Sequence, residues 1–302
     1  MAAPRNYNPN RAPVASVQIA DMDPSVSETH GNKTALYTHN VEDAYIHYAK
    51  GESTGTTTTR KFGSNPDVGT TFETIWPGGG RYQYPTAGQT ITISSGSNTD
   101  RAGSSGASRV TLYGLRTSAW TEFATTVSLS GVTAVTVATD VWRLNRMIVV
   151  ATSGATVTDA GVGNNGILYG GYGTVTAGVP ANVLARIQVG ENQTEQAVYS
   201  IPGGKTFFIT EAYTSVGAGK TATVELRIRS DGRQSWTPFQ DKFGTLLYEG
   251  IFERDFDVPI ICQPFSDIEL EAKYAMAGGP VYGGFQGILF SGTTFPEQSG
   301  GG

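Results

Sequence analysis

Thr223-Val-Glu-Leu-Arg-Ile-Arg-Ser230 alternates apolar and charged residues without interruption. Val224, Leu226 and Ile228 fall on one side of an extended chain and Glu225, Arg227 and Arg229 on the other, the two-residue period of a strand with one face in and one face out. Asp231-Gly232 then turns the chain. Ser266-Asp-Ile-Glu-Leu-Glu-Ala-Lys-Tyr274 repeats the pattern, Lys205-Thr-Phe-Phe-Ile-Thr210 follows a Pro202-Gly-Gly turn, and Gly284-Phe-Gln-Gly-Ile-Leu-Phe290 reads as a last strand. Toward the N-terminus, Gln89-Thr-Ile-Thr-Ile-Ser-Ser95, Arg109-Val-Thr-Leu-Tyr-Gly114 and Asn182-Val-Leu-Ala-Arg-Ile-Gln-Val189 alternate in the same way. Met147-Ile-Val-Val150 is continuously apolar and is expected to be buried on both faces. Thr126–Ser130 and Ala134–Ala138 flank Gly131 and read as a tight hairpin or a closely spaced pair. Turn signals recur about every 8–12 residues, the spacing of a β-sandwich.

Composition agrees. Of 302 residues 39 are glycine, nearly twice the ~7% average, and only 16% are charged against about 25% in ordinary domains. Coiled coils and helical bundles are excluded, and Pro plus Gly stays below the ~25–30% that marks disorder. The formal charge of −5 attracts no polyanion, so nucleic acid is not an expected partner. A single cysteine, Cys262, excludes an internal disulfide framework; it closes a Val-Pro-Ile-Ile run and reads as a small buried hydrophobe. No apolar run approaches the ~20 residues of a membrane span, and no hydrophobic region follows Met1–Arg11, so no membrane partner and no secretory leader are expected.

The length suggests about two domains of ~150 residues. Residues 71–190 and 191–302 read as antiparallel β-sandwich or jelly-roll-like domains, the second ending in a short Gly-rich tail. Residues 1–70 read as an extended docking arm with one short helix, Val41–Lys50, capped by Asn40 and stopped by Gly51. The arm holds His30, His39 and His47 near Asp21, Asp23, Glu28 and Asp43, but no i, i+4 pair sets a metal geometry.

Several motifs invite chemistry and give way to simpler readings. Gly161-Val-Gly-Asn-Asn-Gly166 matches a dinucleotide fingerprint, yet strand and turn residues follow where a helix is required, leaving a glycine-rich hairpin or loop tip. Gly217-Ala-Gly-Lys-Thr221 resembles the end of a phosphate loop, but Thr214 stands where that motif needs glycine, so a hairpin turn is expected. Glu253, Asp255 and Asp257, with Glu249 nearby, share one strand face at ~6.5–7 Å spacing. Carboxylates so spaced can cleave a glycosidic bond; with Phe252, Phe256 and Val258 alternating, they also read as a solvated face. Tyr82, Tyr84, Tyr113, Trp120, Trp142, Tyr169 and Tyr172 suit either sugar stacking or core filling.

Phe72-Glu-Thr-Ile-Trp-Pro-Gly-Gly-Gly-Arg-Tyr-Gln-Tyr-Pro85, Thr92–Asp100, Ala107–Leu115, Ser130–Val135, Leu144–Met147 and Gly173–Asn182 together resemble a family of β-rich virion proteins of tailed bacteriophages, especially marine and cyanobacterial ones. The resemblance spans roughly residues 72–290, leaves the arm unmatched and transfers no catalytic residue. It implies a non-enzymatic virion structural protein, assembled in the host cytoplasm, without catalytic, cofactor or metal residues. The leading expectation is a capsid-associated decoration or head-fibre component that contacts the major capsid protein or neighbouring copies, as a homo-oligomer and by guess a trimer. The alternative is a tail or fibre protein that binds host glycans; a depolymerase using Glu253 with Asp255 or Asp257 is third.

Overall fold

The computed structural model describes residues 48, 50, 52–152 and 163–292. His30, His39, His47, most of the expected helix over 41–50, Gly161 and the tail from 296 lie outside the described residues. The chain folds into thirteen strands among the described residues: Thr56–Val68 (β1), Glu73–Thr74 (β2), Gln89–Ser95 (β3), Ala107–Arg116 (β4), Thr121–Ser128 (β5), Val135–Thr152 (β6), Leu168–Thr176 (β7), Val179–Ile187 (β8), Val198–Ser200 (β9), Lys205–Arg229 (β10), Gln240–Cys262 (β11), Asp267–Tyr274 (β12) and Gly279–Ser291 (β13). They form two antiparallel sheets. A six-stranded sheet runs β5-β4-β6-β3-β7-β8, and a seven-stranded sheet runs β1-β13-β10-β12-β2, with β11 also on β10 and β9 on β12. The fold is all-β, as the alternation requires.

The two stretches read as separate strands at Lys205–Thr210 and Thr223–Ser230 belong to one strand, β10. One edge of β10 pairs with β11 along its length; the other pairs first with β13 and then with β12. Gly217-Ala-Gly-Lys220 is therefore not a hairpin turn. The ladder steps from the Val216–Gly250 pair to the Thr221–Tyr248 pair, so these four residues bulge opposite Glu249 alone. Gly219 and Gly250 take φ of 68° and 89°, which a side chain would resist, and the Gly219 amide donates to Glu249 Oε2 at 2.6 Å. Phe207 and Ile209 before the bend share one core with Leu226 and Ile228 after it, and Phe243 stacks on Phe252 at 5.7 Å across it. The seven-stranded sheet thus folds over onto itself as a sandwich. The six-stranded sheet encloses a second core around Ile91, Leu112, Leu144, Met147 and Ile187, with β8 returning against β6.

Other sequence readings change as well. Thr56–Val68, placed in the arm, is β1 and pairs with β13 from Thr56–Phe290 to Val68–Gly279. Its buried positions are Lys61, Gly63, Asn65 and Val68, so no apolar alternation marks it. The 126–138 hairpin does not form, because β4 lies between β5 and β6; β5 instead returns along β4 through a turn in which Thr117 and Trp120 take positive φ. Val150 is half exposed, since only one face of that part of β6 meets the core.

The charged face of Thr223–Ser230 is not solvated either. Arg227 donates to Glu269 and pairs with Glu271 at 2.9 Å, and Arg229 binds Asp267, all across the β10–β12 ladder. Tyr84 and Phe239 lie over these guanidinium groups at 4.7–5.0 Å. The same carboxylate joins the sheets. Arg143 on β6, 1% exposed, donates to both oxygens of Asp267 on β12 at 2.8 and 2.9 Å, and to the carbonyls of Pro85, Trp142 and Gly232. All five guanidinium hydrogens are used, and Trp120 and Tyr84 cover it at 4.5 and 5.1 Å. Ser200 on β9 also donates to Asp267.

Burial pushes the Asp267 carboxyl up, but the charges and hydrogen bonds of Arg143, with the charge of Arg229, outweigh it and hold the group below its ordinary range. A carboxylate depressed in the folded state contributes stability that is present above its unfolded pKa, ~3.9, and is lost as pH falls through the folded value. Asp267→Asn should start about 3 kcal/mol less stable at neutral pH and lose stability less steeply below about pH 4 than the wild type, in urea titrations across that range. Equal acid slopes would show that Asp267 is not the group that acidification removes.

Candidate interaction surfaces

β11 is an edge strand: among the described residues its ladder partner is β10 alone. Phe243, Leu247, Phe256 and Ile260 turn inward onto the core. The opposite side presents Leu246, Tyr248 and Ile251, which are 69%, 65% and 79% exposed, on the two strand segments that meet at the Glu249-Gly250 bend. Trp236, in the connection before β11, is also largely exposed. Large apolar side chains on a long open edge are what monomeric β proteins usually avoid.

Beyond the bend the outer face turns acidic. Glu253 stands opposite Tyr213, and Asp255 opposite Glu211. Glu211 continues across the sheet to Gln286 and Arg60, with the Gln286 amide donating to Glu211 and accepting from Arg60 Nε at 2.7 Å. Burial, then the charges of Glu253 and Asp255, push the Glu211 carboxyl up. Asp257 falls outside this register, because the ladder skips from the Glu211–Asp255 pair to the Ile209–Ile260 pair. Glu249 holds the bend. The structure therefore gathers Glu253 and Asp255 with Glu211 on an open sheet face and separates Asp257 and Glu249 from them. Glu211 was not legible because the bulge at Thr210 breaks the alternation just before it. Tyr213 lies across Gly284, where a Cβ would come within 2.5 Å of its hydroxyl.

Of the aromatic candidates, Tyr82, Trp120 and Tyr169 are buried. The Tyr82 hydroxyl donates to the Leu184 carbonyl at 2.8 Å and its ring packs edge-on to Trp76. Tyr84 and Trp120 sandwich Arg143, Trp142 donates to Asp140, and Tyr172 packs against the second core. Tyr113 alone among them borders a surface groove. Cys262 is buried, and burial pushes its thiol up, away from reactivity. Gly163–Gly166 forms a loop tip whose Asn165 and Gly166 amides donate to Asp100 at 2.8 Å.

The groove, about 550 Å³, lies between β1 and the β4–β6 end of the six-stranded sheet. Lys61 lines it, 8% exposed, and donates to the Asn145 carbonyl at 2.5 Å; burial, then Arg146, pushes its amine down to about 7. Its position inside a Thr-rich polar run hid it from a reading based on apolar periodicity.

No protein-family model matches the chain, and no curated protein matches it. Solved structures similar to it include the infectious bursal disease virus Gx strain (12% identity, 84% of this chain and 80% of that one, TM-score 0.23). A mutant VP2 protein of infectious bursal disease virus in derived T=1 particles is similar at 13% identity, over 80% and 71%, again with a TM-score of 0.23. A T13 particle of the same virus gives 12%, 80%, 70% and 0.22. At these TM-scores the architecture rests on this chain's own strand pairing.

Like charges directly opposite each other in a ladder are destabilising. Asp255→Asn should therefore raise stability at neutral pH by about 0.5 kcal/mol in chemical denaturation, with the gain fading in about 1 M salt. A loss of stability would mean that Asp255 has a favourable partner that outweighs Glu211.

Proposed function

We propose that the chain is a non-enzymatic structural protein of a bacteriophage particle, a capsid-associated decoration or head-fibre component present in several copies. The observation that carries this reading is the β10–β11 ribbon, whose bend presents Leu246, Tyr248 and Ile251 to solvent beside an open strand edge. Burying such residues is worth roughly 1.5–3 kcal/mol each, so a neighbouring subunit gains by covering them. On a symmetric particle many such patches act together, and avidity raises occupancy beyond any one contact. The resemblance of residues 72–290 to virion proteins of tailed phages supports the same placement, and residues 1–47 add contact area if they reach an adjoining subunit. The major capsid protein or further copies of this chain are the partners this reading calls for.

A second reading, a tail or fibre protein that binds host glycans, has its own support. Tyr213 reaches over Gly284 beside Glu211, Glu253 and Asp255, and Tyr282 stands one pair of residues along the same face. An aromatic ring beside carboxylates suits a sugar's apolar face and hydroxyls.

Gold-labelled antibody against the chain, imaged on purified particles, should decorate heads. Leu246→Lys with Ile251→Lys should lower incorporation at least about tenfold with little change in Tm, since both side chains already lie in solvent. Label confined to tail fibres, together with binding of host cells by the isolated protein, would replace the first reading with the second. Absence from particles would remove both.

A further inference from the structure

The groove between β1 and the six-stranded sheet is separate from the β11 surface. We propose that it takes an extended acidic segment of a partner chain, added as a strand along the Thr57–Lys61 edge. Five consecutive residues, Thr57 to Lys61, line it. Side chains of a strand alternate between faces, so a consecutive run can border a groove only through the strand's edge. Among the described residues β1 has β13 as its sole ladder partner, which leaves that edge open to accept the main-chain hydrogen bonds of another strand.

Charge defines the occupant. Arg60, Lys61 and Arg146 all line the groove in a chain whose net charge is −5. Arg60 is bound to the Gln286 amide, Lys61 to a main-chain carbonyl and Arg146 to the Gln193 amide at 3.2 Å. No carboxylate among the described residues forms an ion pair with any of the three. The acid that lines the groove, Glu122, is already paired with Lys205. Three cations with only neutral acceptors are an incomplete electrostatic site, and a carboxylate beside buried Lys61 would be screened little by solvent. A neutral strand would leave these charges as they are, and a basic one would be repelled. Arg60 and Lys61, being adjacent, leave β1 on opposite faces, so an added strand meets a cation on either side.

The groove that Lys61 lines is also bordered by Arg146 from β6, Glu122 from β5, Tyr113 from β4 and Tyr199 from β9, and Glu122 is paired with Lys205 from β10. Its pKa of about 7 lies below the ordinary lysine value, so the charged form that binds a carboxylate is lost as pH rises through 7. Acidic-strand affinity should accordingly fall as pH rises.

The test uses the full-length protein and an acetylated, fluorescent hexapeptide of alternating valine and glutamate, read by anisotropy, with the valine–lysine counterpart as control. The acidic peptide should bind at least about tenfold tighter than the basic one, and about tenfold tighter near pH 6 than near pH 8. Lys61→Met should weaken binding about tenfold and flatten the pH dependence; Arg146→Gln, at an exposed position, should weaken it several-fold without touching the fold. Equal affinity for the two peptides, no binding, or binding that survives both substitutions would overturn the proposal. None of these outcomes depends on whether the chain resides on heads or tails.

Discussion

A guanidinium ion shut off from water sits where the two sheets of this protein meet. Arg143 and Asp267 come from different sheets, and each is buried almost completely. Moving either charge out of water costs several kcal/mol, and their attraction recovers that cost only when every remaining hydrogen bond is also made. Here it is. Arg143 spends its five hydrogens on Asp267, Pro85, Trp142 and Gly232, while Arg229 and Ser200 take further lone pairs of Asp267. Because the donors and acceptors belong to both sheets and to the 76–85 and 230–239 connections, the cluster is complete only when all of these are in place. Removing either partner would leave the other charge buried with its bonds unmade, which ties both sheets to this one arrangement.

The route of the chain makes that specification necessary. β1 and β2 precede the six-stranded sheet in sequence, yet they pair with β13 and β12 after it. The seven-stranded sheet therefore closes only once the chain between has been accommodated, and the Arg143 cluster sits where the two meet. A fixed junction gives the outer surfaces a defined mutual geometry: the apolar bend of β11, the acidic face around Glu211, and the cationic groove at Lys61. Under the proposed function, that rigidity would let several weak contacts to neighbouring subunits be satisfied together.

How much of this was legible depended on which forces leave a mark in local sequence. Gln89–Ser95 coincides with β3, and Ser266–Tyr274 with β12 to within a residue, because hydrophobic alternation is local. The charges on Thr223–Ser230 and Ser266–Tyr274 were legible as one face but not as a buried one. Arg227 and Glu269 look solvated until Tyr84 and Phe239 are brought over them from distant parts of the chain. β1 escaped because its inward residues are Lys, Gly and Asn. The bend at Gly217–Lys220 resembles a turn in composition, and only the partner strand shows that the ladder continues past it. Of the candidate surfaces, Glu253 and Asp255 were visible as a face, whereas Glu211, Lys61 and Arg146 needed the register.

Native-state hydrogen exchange on wild type and Arg143→Met tests the central role of the junction most directly. In the wild type, the slowest amides of β6 and of β10 should report one common opening free energy, because the two sheets open together. In Arg143→Met the two groups should separate, with the seven-stranded sheet, in which the Asp267 carboxylate keeps Arg229 and Ser200 but loses its buried Arg143 partner, opening at the lower free energy. Amides of both sheets that remain matched in the variant, or that already differ in the wild type, would contradict the account.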